Sequence, residues 1–150
     1  MDQSIERKIL DLLDSHRIMT LATLRPDGWP QATTVGYAHD GMTLYFVCDR
    51  DSQKVANIAQ NDRVSLTIDH DTSDMADIVG LSMAAHASPV NDHNEAEKAL
   101  RMFGFNWPEQ AMPEEALPSS EEIQVYRVTP TLISVLDYSK GFGHTDLVSY

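Results

Sequence analysis

The chain has 150 residues, of which 42% are hydrophobic and 23% charged, a composition typical of one soluble globular domain. Its formal net charge of −12 argues against nucleic acids and anionic membranes as partners, because binding to phosphates needs a basic surface. The single cysteine, Cys48, excludes an internal disulfide, and no apolar run reaches the length of a membrane span. The N-terminal MDQSIERKIL has acidic residues where a secretion signal has only basic ones, so we expect a cytoplasmic protein.

The first third of the chain predicts one helix followed by strands that are joined by short turns. Apolar residues recur at helical spacing over 4–15, which indicates a helix with one buried face. The segments that follow are rich in β-forming residues and are interrupted by RPDG and AHDG, both of which have the composition of tight turns. The predicted strands are 18–24, 29–37 and 42–47, and the predicted turns are 25–28 and 38–41.

The rest of the chain predicts two more helices, which lie between strands. Val55, Ile58 and Ala59 share one face of a short helix over 52–60, and Asn91 or Asp92 caps a helix that runs to about residue 105. The predicted strands are 63–69, 78–90, 122–130 and 131–138, with a break at Pro130, and the predicted loops are 70–77, 106–121 and the tail from 139. Gly80 indicates either a bulge or a close approach of backbones.

This order of elements predicts a mainly β (α+β) fold. The strands are mostly neighbours in sequence, and the helices do not alternate with them strictly, which argues against a doubly wound parallel sheet. A small antiparallel barrel of about six to seven strands with short helices packed outside fits the pattern better.

The stretch DRDSQKVANI, 49–58, is the strongest candidate for a binding site. Ser52 occupies the N-cap position of a short helix, where some backbone N–H groups stay open and attract anions. Lys54 falls in the first turn, where a cation opposes the helix dipole but favours a bound phosphate. On spacing alone, a simple helix cap and a phosphate site both remain open.

Other kinds of chemistry have weak signals in this sequence. The six histidines form no pair at metal-ligand spacing with one another or with Cys48, so we predict no metal site. Phosphate-binding glycine loops and the nucleophile elbow of hydrolases are both missing. Cys48 is interpreted as a small buried residue at a strand end. No catalytic residue can be assigned.

The order and spacing of three segments resemble one known family. The segments are TLATLRPDGWPQATTVGY, then DGMTLYFVCDRDSQKVANIAQNDRVSLTID, then GLSMAAHASPV. Together they resemble the pyridoxamine 5′-phosphate oxidase-like family of FMN-binding split barrels, over about residues 5–90, with a looser match at 122–138. The resemblance implies one FMN-binding split-barrel domain over 1–150, and a homodimer with two FMN sites at its interface.

The resemblance also implies roles for nine residues. Ser52, Gln53 and Lys54 match the stretch that holds the FMN phosphate. The strand end at Phe46, Val47 and Cys48 matches the backbone that bonds the edge of the flavin ring, and the strand at Thr33, Thr34 and Val35 matches the one along the ring and ribityl chain.

The chain departs from the oxidase in ways that change the expected function. QATTVGY lacks the Arg and Lys that reinforce the phosphate site in the oxidase, which leaves Ser52, Lys54 and backbone amides, with Arg50 as a further candidate. The C-terminal segment has no counterpart of the oxidase's basic substrate residues. We therefore expect a protein of the short, general-stress-type branch, with an unidentified small molecule as substrate rather than pyridoxamine phosphate.

The sequence is compatible with two functions. The first is an FMN-dependent oxidoreductase, in which the flavin supplies hydride or electron chemistry. The second is a non-enzymatic binding module for F420, haem or another phosphorylated ligand, and His86 and His144 are the candidate axial ligands for a haem. Trp107 is a candidate cover for the ring, although a surface-loop anchor explains it as well.

Overall fold

A computed structural model describes residues 1–106 and 121–149 of the chain. Within these residues, eight strands form one antiparallel sheet in the order β2-β1-β5-β6-β7-β4-β3, and β8 pairs with β7. The sheet curls into a half-barrel accompanied by three α-helices, which confirms the predicted split-barrel fold. The strands are β1 Ile18–Leu24, β2 Pro30–Gly36, β3 Ala38–Asp40, β4 Thr43–Asp49, β5 Arg63–Asp69, β6 Val79–Pro89, β7 Ile123–Asp137 and β8 Thr145–Ser149.

The helices follow their predicted positions closely. They are α1 Gln3–Ser15, α2 Gln53–Gln60 and α3 His93–Asn106. Asp2 caps α1 by accepting a hydrogen bond from the Ser4 amide at 2.7 Å. The buried face of α1 is made by Ile9, Leu12 and Leu13, which join the apolar interior of the barrel. In the described part of the chain, no helix is both long enough and apolar enough to span a bilayer.

One long strand, β7, organises the sheet. Along one side it pairs with β6 from Val79–Asp137 to Pro89–Tyr126. Its other side is shared, because β4 pairs with 123–128 and β8 pairs with 132–136. The barrel interior lies between these strands and contains Phe46, which stacks on Tyr126 with ring centroids 5.0 Å apart.

The predicted break at Pro130 is wrong. The pairing between β6 and β7 shifts register between Ala84 and Ala85, so Thr131 is an extra residue that the partner strand does not match. This bulge lets a proline without an N–H donor remain inside a continuous strand. The Thr131 hydroxyl bonds the Ala84 carbonyl at 3.1 Å, which holds the bulge in place.

Three segments that were predicted as turn or loop contain short regular elements. Most of the expected turn at 38–41 is β3, and the hairpin to β4 closes through Gly41 and Met42. The polar loop 70–77 ends in a 3-10 turn at Met75–Asp77, and the tail contains another at Tyr138–Lys140 before β8. These elements are short, and their stability depends on packing against neighbours that a local sequence pattern does not reveal.

The glycine at position 80 is required by close packing of two strands. A Cβ atom there would lie 2.6 Å from the backbone oxygen of Ile68 on β5. The predicted close approach is therefore confirmed at Gly80, whereas the bulge lies on β7, opposite Ala84 and Ala85.

Candidate functional site

The barrel is split between β2 and β4. These two strands lie next to each other, yet no ladder of hydrogen bonds joins them. Along the edge of β4 that does not pair with β7, β3 pairs only with Thr43–Tyr45. The rest of that backbone edge, at 46–48, has no pairing strand among the described residues. An unpaired edge presents N–H and C=O groups to any ligand that enters the split.

Strand β2 directs alternate side chains into the split barrel. Thr33 pairs with the buried Leu21 and Val35 pairs with the buried Met19, so both point toward the interior. Thr34 pairs with the exposed Thr20 and points to the outer face. The hydroxyl oxygen of Thr33 is buried and has no hydrogen-bond partner among the described residues. A buried hydroxyl without a partner carries a desolvation cost that a ligand group can remove.

Strand β4 divides its predicted residues between two faces. Phe46 and Cys48 pack on the barrel interior, whereas Val47 packs on the smaller apolar cluster beneath α3. Burial raises the pKa of the Cys48 thiol, and the Ser52 hydroxyl and Lys54 ammonium lie near enough to oppose that rise. The thiol is therefore protonated and weakly nucleophilic at neutral pH, so chemistry at this end of the split needs another group.

Helix α2 follows β4 in the chain and contacts both β1 and β4. Ser52 has the extended backbone of an N-cap, but its side chain makes no capping bond, contrary to the simple cap interpretation. Its buried Oγ has no hydrogen-bond partner of ordinary geometry among the described residues, the nearby Cys48 thiol included. The amides of Gln53 and Lys54 begin the helix and have no backbone acceptor in the described chain. Two open amides and a free hydroxyl form a suitable cradle for an anion.

Lys54 is the cation best placed for this cradle. Its side chain is half-buried, and it forms no ion pair among the residues that the structure describes. The alternative, Arg50, is engaged elsewhere. Its guanidinium donates to the Glu121 carbonyl at 2.9 Å and to Gln124 Oε1 at 2.8 Å, so it is directed toward β7.

Gln53 bonds to a buried side-chain amide, that of Asn57, which the sequence did not reveal. Its Nε2 donates to Asn57 Oδ1 at 2.8 Å, so its amide turns back along the helix. Asn57 is fully buried and donates to Thr23 Oγ1 at 2.9 Å and to Gln31 Oε1 at 3.1 Å. The only local signal was the four-residue spacing of Gln53 and Asn57, which places the two on one helix face.

The remaining candidates lie away from the split. His86 bonds Asp62 at 3.0 Å, and His144 bonds Asp146 at 3.2 Å. His16 and His70 meet at 2.9 Å, a contact that joins residues far apart in sequence. Within the described residues, no group of three or more His, Cys, Asp or Glu is placed to hold a metal ion. Trp107 lies outside the described residues.

The comparisons with known proteins agree with the fold. The family model described as pyridoxamine 5′-phosphate oxidase matches residues 5–137. The chain belongs to this family. Some members of the family bind flavin.

Two groups of relatives differ in what their names say. General stress protein 26 of Bacillus subtilis (strain 168) is 28% identical over 105 residues, which cover 67% of this chain and 74% of that protein. The crystal structure of general stress protein 26 from Bacillus anthracis str. Sterne has a TM-score of 0.70 at 19% identity and covers 97% of this chain and 98% of that chain. A heme binding protein from Mycobacterium smegmatis has a TM-score of 0.74 at 21% identity and covers 96% of this chain and 56% of that one. At these identities, the two structures indicate a shared fold only.

Proposed function

We propose that the chain is one FMN-binding split-barrel domain over residues 1–150 and an FMN-dependent oxidoreductase acting on a small molecule. One observation carries the proposal. The two buried hydroxyls without a partner, on Thr33 and Ser52, both belong to the nine residues that the family resemblance had assigned to FMN. They come from separate elements, and each would gain a partner from a polar ligand in the split.

The residues at the split offer suitable partners for each part of an FMN molecule. Ser52, Lys54 and the open amides of the α2 start would hold the phosphate, since they supply a hydroxyl, a cation and helix N–H groups. Thr33 and Val35 would lie along the ribityl chain and the ring, and the unpaired edge at 46–48 would bond the polar edge of the ring. Bound FMN would supply hydride or electron transfer, while the protein orients it and excludes water.

A homodimer completes this proposal. The split is open on the side where β2 has no strand partner, so a large planar ring would remain partly exposed in a single chain. A second copy across the opening would bury the ring and create two equivalent sites. The family resemblance predicts the same arrangement.

The visible spectrum of the purified protein tests the proposal directly. FMN binding predicts a yellow protein that releases a compound with the mass of FMN after heat denaturation. Reduction of the bound flavin by a chemical donor and its reoxidation by oxygen would then support a redox role. A colourless protein that does not bind added FMN contradicts the proposal, and a released deazaflavin identifies F420 instead.

Haem is the second candidate, and the surroundings of His86 favour it. His86 lines a cavity of about 350 Å³ on the outer face of the sheet, together with apolar residues of β1, β5 and β6. Its bond to Asp62 is the carboxylate–histidine arrangement that often orients a metal-ligating imidazole. A Soret band that appears on addition of haem and is lost in His86→Ala would support this candidate over FMN.

A further inference from the structure

The buried amide of Asn57 joins three elements that surround the split. It accepts from Gln53 in the first turn of α2 and donates to Thr23 on β1 and Gln31 on β2. Asn57 is 0% exposed and Thr23 is 2% exposed, so water does not substitute for the bond between them. A buried amide with donors and acceptor satisfied fixes the relative positions of the groups it joins.

The two parts that Asn57 joins, strand β2 and the start of α2, differ in how many other hydrogen bonds hold them. Gln31 lies in β2, which pairs with β1 along its whole length, so the sheet positions it without Asn57. The first turn of α2 pairs with no strand, and apart from the bonds within the helix itself its backbone is held by the bonds from the Ser52 amide to the Asp49 carbonyl and from the Val55 amide to the Ser52 carbonyl. Loss of the Asn57 contact would therefore release the helix start rather than the strand.

We propose that Asn57 is a positioning residue, which acts through Gln53 to hold Ser52 and Lys54 in the geometry that binds the FMN phosphate. The inference rests on the proposed FMN site and goes beyond it by assigning a role to a residue that contacts no part of the ligand. It also gives Gln53 a new role, because its amide is turned toward Asn57 rather than toward the phosphate.

Binding of FMN and of riboflavin, which lacks the phosphate, separates positioning from general stability. Asn57→Leu keeps the number and branching of the side-chain heavy atoms and removes all three bonds. We expect its affinity for FMN to fall by about tenfold, while riboflavin affinity stays within about twofold of the original protein. Fluorescence quenching of each flavin on titration with protein measures both constants without any assay of activity.

Two further variants make the test specific. Gln53→Leu breaks only the bond to the helix start, and it lies at an exposed position that tolerates substitution. It should reproduce the loss of FMN affinity, and the double variant should lose no more than Asn57→Leu alone, because both changes act through one contact. Asp137→Asn is the matched control, because it disrupts another polar cluster, with Lys8 and Ser139, at the opposite end of β7.

Each outcome decides a different point. A selective loss of FMN affinity in both single variants, with Asp137→Asn unchanged in binding, supports the inference. An equal loss for both flavins, or additive losses in the double variant, overturns it. If Asn57→Leu does not fold, Gln53→Leu decides alone, and unchanged FMN binding overturns the inference. If the unsubstituted protein binds neither flavin, the proposed function is overturned as well. If the unsubstituted protein and both single variants bind FMN equally tightly, only the role of Asn57 is overturned.

Discussion

At the scale of single residues, Lys54 has an environment that differs from that of the other basic residues near it. Arg50 is four positions away and is directed toward β7 by the Glu121 carbonyl and Gln124, while Lys54 has no acidic partner in the described chain. In a protein with a net charge of −12, an unpaired half-buried cation beside open helix amides is a suitable place for an anion.

Lys54→Ala should weaken FMN binding. Loss of a charged hydrogen bond to the phosphate predicts a decrease in affinity of about 10- to 100-fold. Riboflavin affinity should not change, since that ligand has no phosphate. Equilibrium titration of both flavins measures this difference, with Lys140→Ala as a control for the change in net charge. An equal effect of both substitutions would remove Lys54 from the site.

Gly80 is a residue whose substitution affects stability rather than binding. Gly80→Ala places a Cβ atom 2.6 Å from the backbone oxygen of Ile68, and strand β5 must move to accommodate it. We expect the free energy of unfolding to fall by about 1 to 3 kcal/mol. Denaturant unfolding checks this value. Gly104→Ala on α3 is the control, because its Cβ meets nothing within 4 Å and alanine favours a helix, so stability should hold or rise.

At the scale of secondary-structure elements, the bulge in β7 fixes which side chains face the interior. Thr131 is the extra residue, and the residues after it pair with β6 and β8 in a register that places Ile133 and Val135 in the core. Side chains alternate along a strand, so a shift of one residue would exchange interior and exterior positions.

Deletion of Thr131 should therefore abolish the fold. Ile133 and Val135 would turn to the outer face, and the pairing of β8 would be lost along with the interior packing. The expected result is insoluble protein, or protein without a cooperative unfolding transition by circular dichroism. Deletion of the exposed Asp71 in the loop after β5 is the control and should give folded protein. A folded Thr131 deletion would show that the register is not determined by the bulge.

The helices and strands also differ in how well local sequence patterns predicted them. Helical spacing identified α1, α2 and α3 to within one or two residues, because each helix shows its buried face as a short-range periodicity. Local patterns divided β7 at Pro130, because the bulge that accommodates the proline depends on pairing with β6. They did not reveal β8, because its partner strand β7 is recognised only through the sheet. The family resemblance predicted Thr33 and Ser52 for one site, and each has a buried hydroxyl without a partner among the described residues. The direction of the Arg50 side chain had no local signal, and the buried contact of Asn57 had only its spacing to Gln53.

At the scale of the whole molecule, a contact between α1 and the end of β7 joins residues from opposite ends of the sequence. Lys8 on α1 forms an ion pair with Asp137 at the end of β7, and Asp137 also accepts from the amide and hydroxyl of Ser139. The Lys8 ammonium and the Ser139 groups lower the pKa of Asp137 from 3.8 to about 2. The ionised carboxylate is thus favoured in the folded protein relative to the unfolded chain.

This shift predicts how stability depends on pH. A group with a lowered folded-state pKa contributes its full stabilisation above the unfolded value of 3.8 and loses it as pH falls to about 2. Asp137→Asn should reduce the free energy of unfolding at pH 7 by about 1 to 2 kcal/mol, allowing for partial solvent screening at Lys8. Urea unfolding at pH 7 and near pH 2 checks this, and the difference between the proteins should shrink at the lower pH. A constant difference would contradict the assigned cause.

The sequence by itself determined the helices, the first hairpin and the class of fold, because these depend on periodicity and on turn residues that act over a few positions. Together with the family resemblance, it also determined which stretch begins the candidate phosphate site. Only the tertiary structure decided that the edge at 46–48 is unpaired, that Arg50 turns away, and that Asn57 joins α2 to the sheet. These features depend on contacts between residues far apart in sequence, which exist only once the barrel has closed.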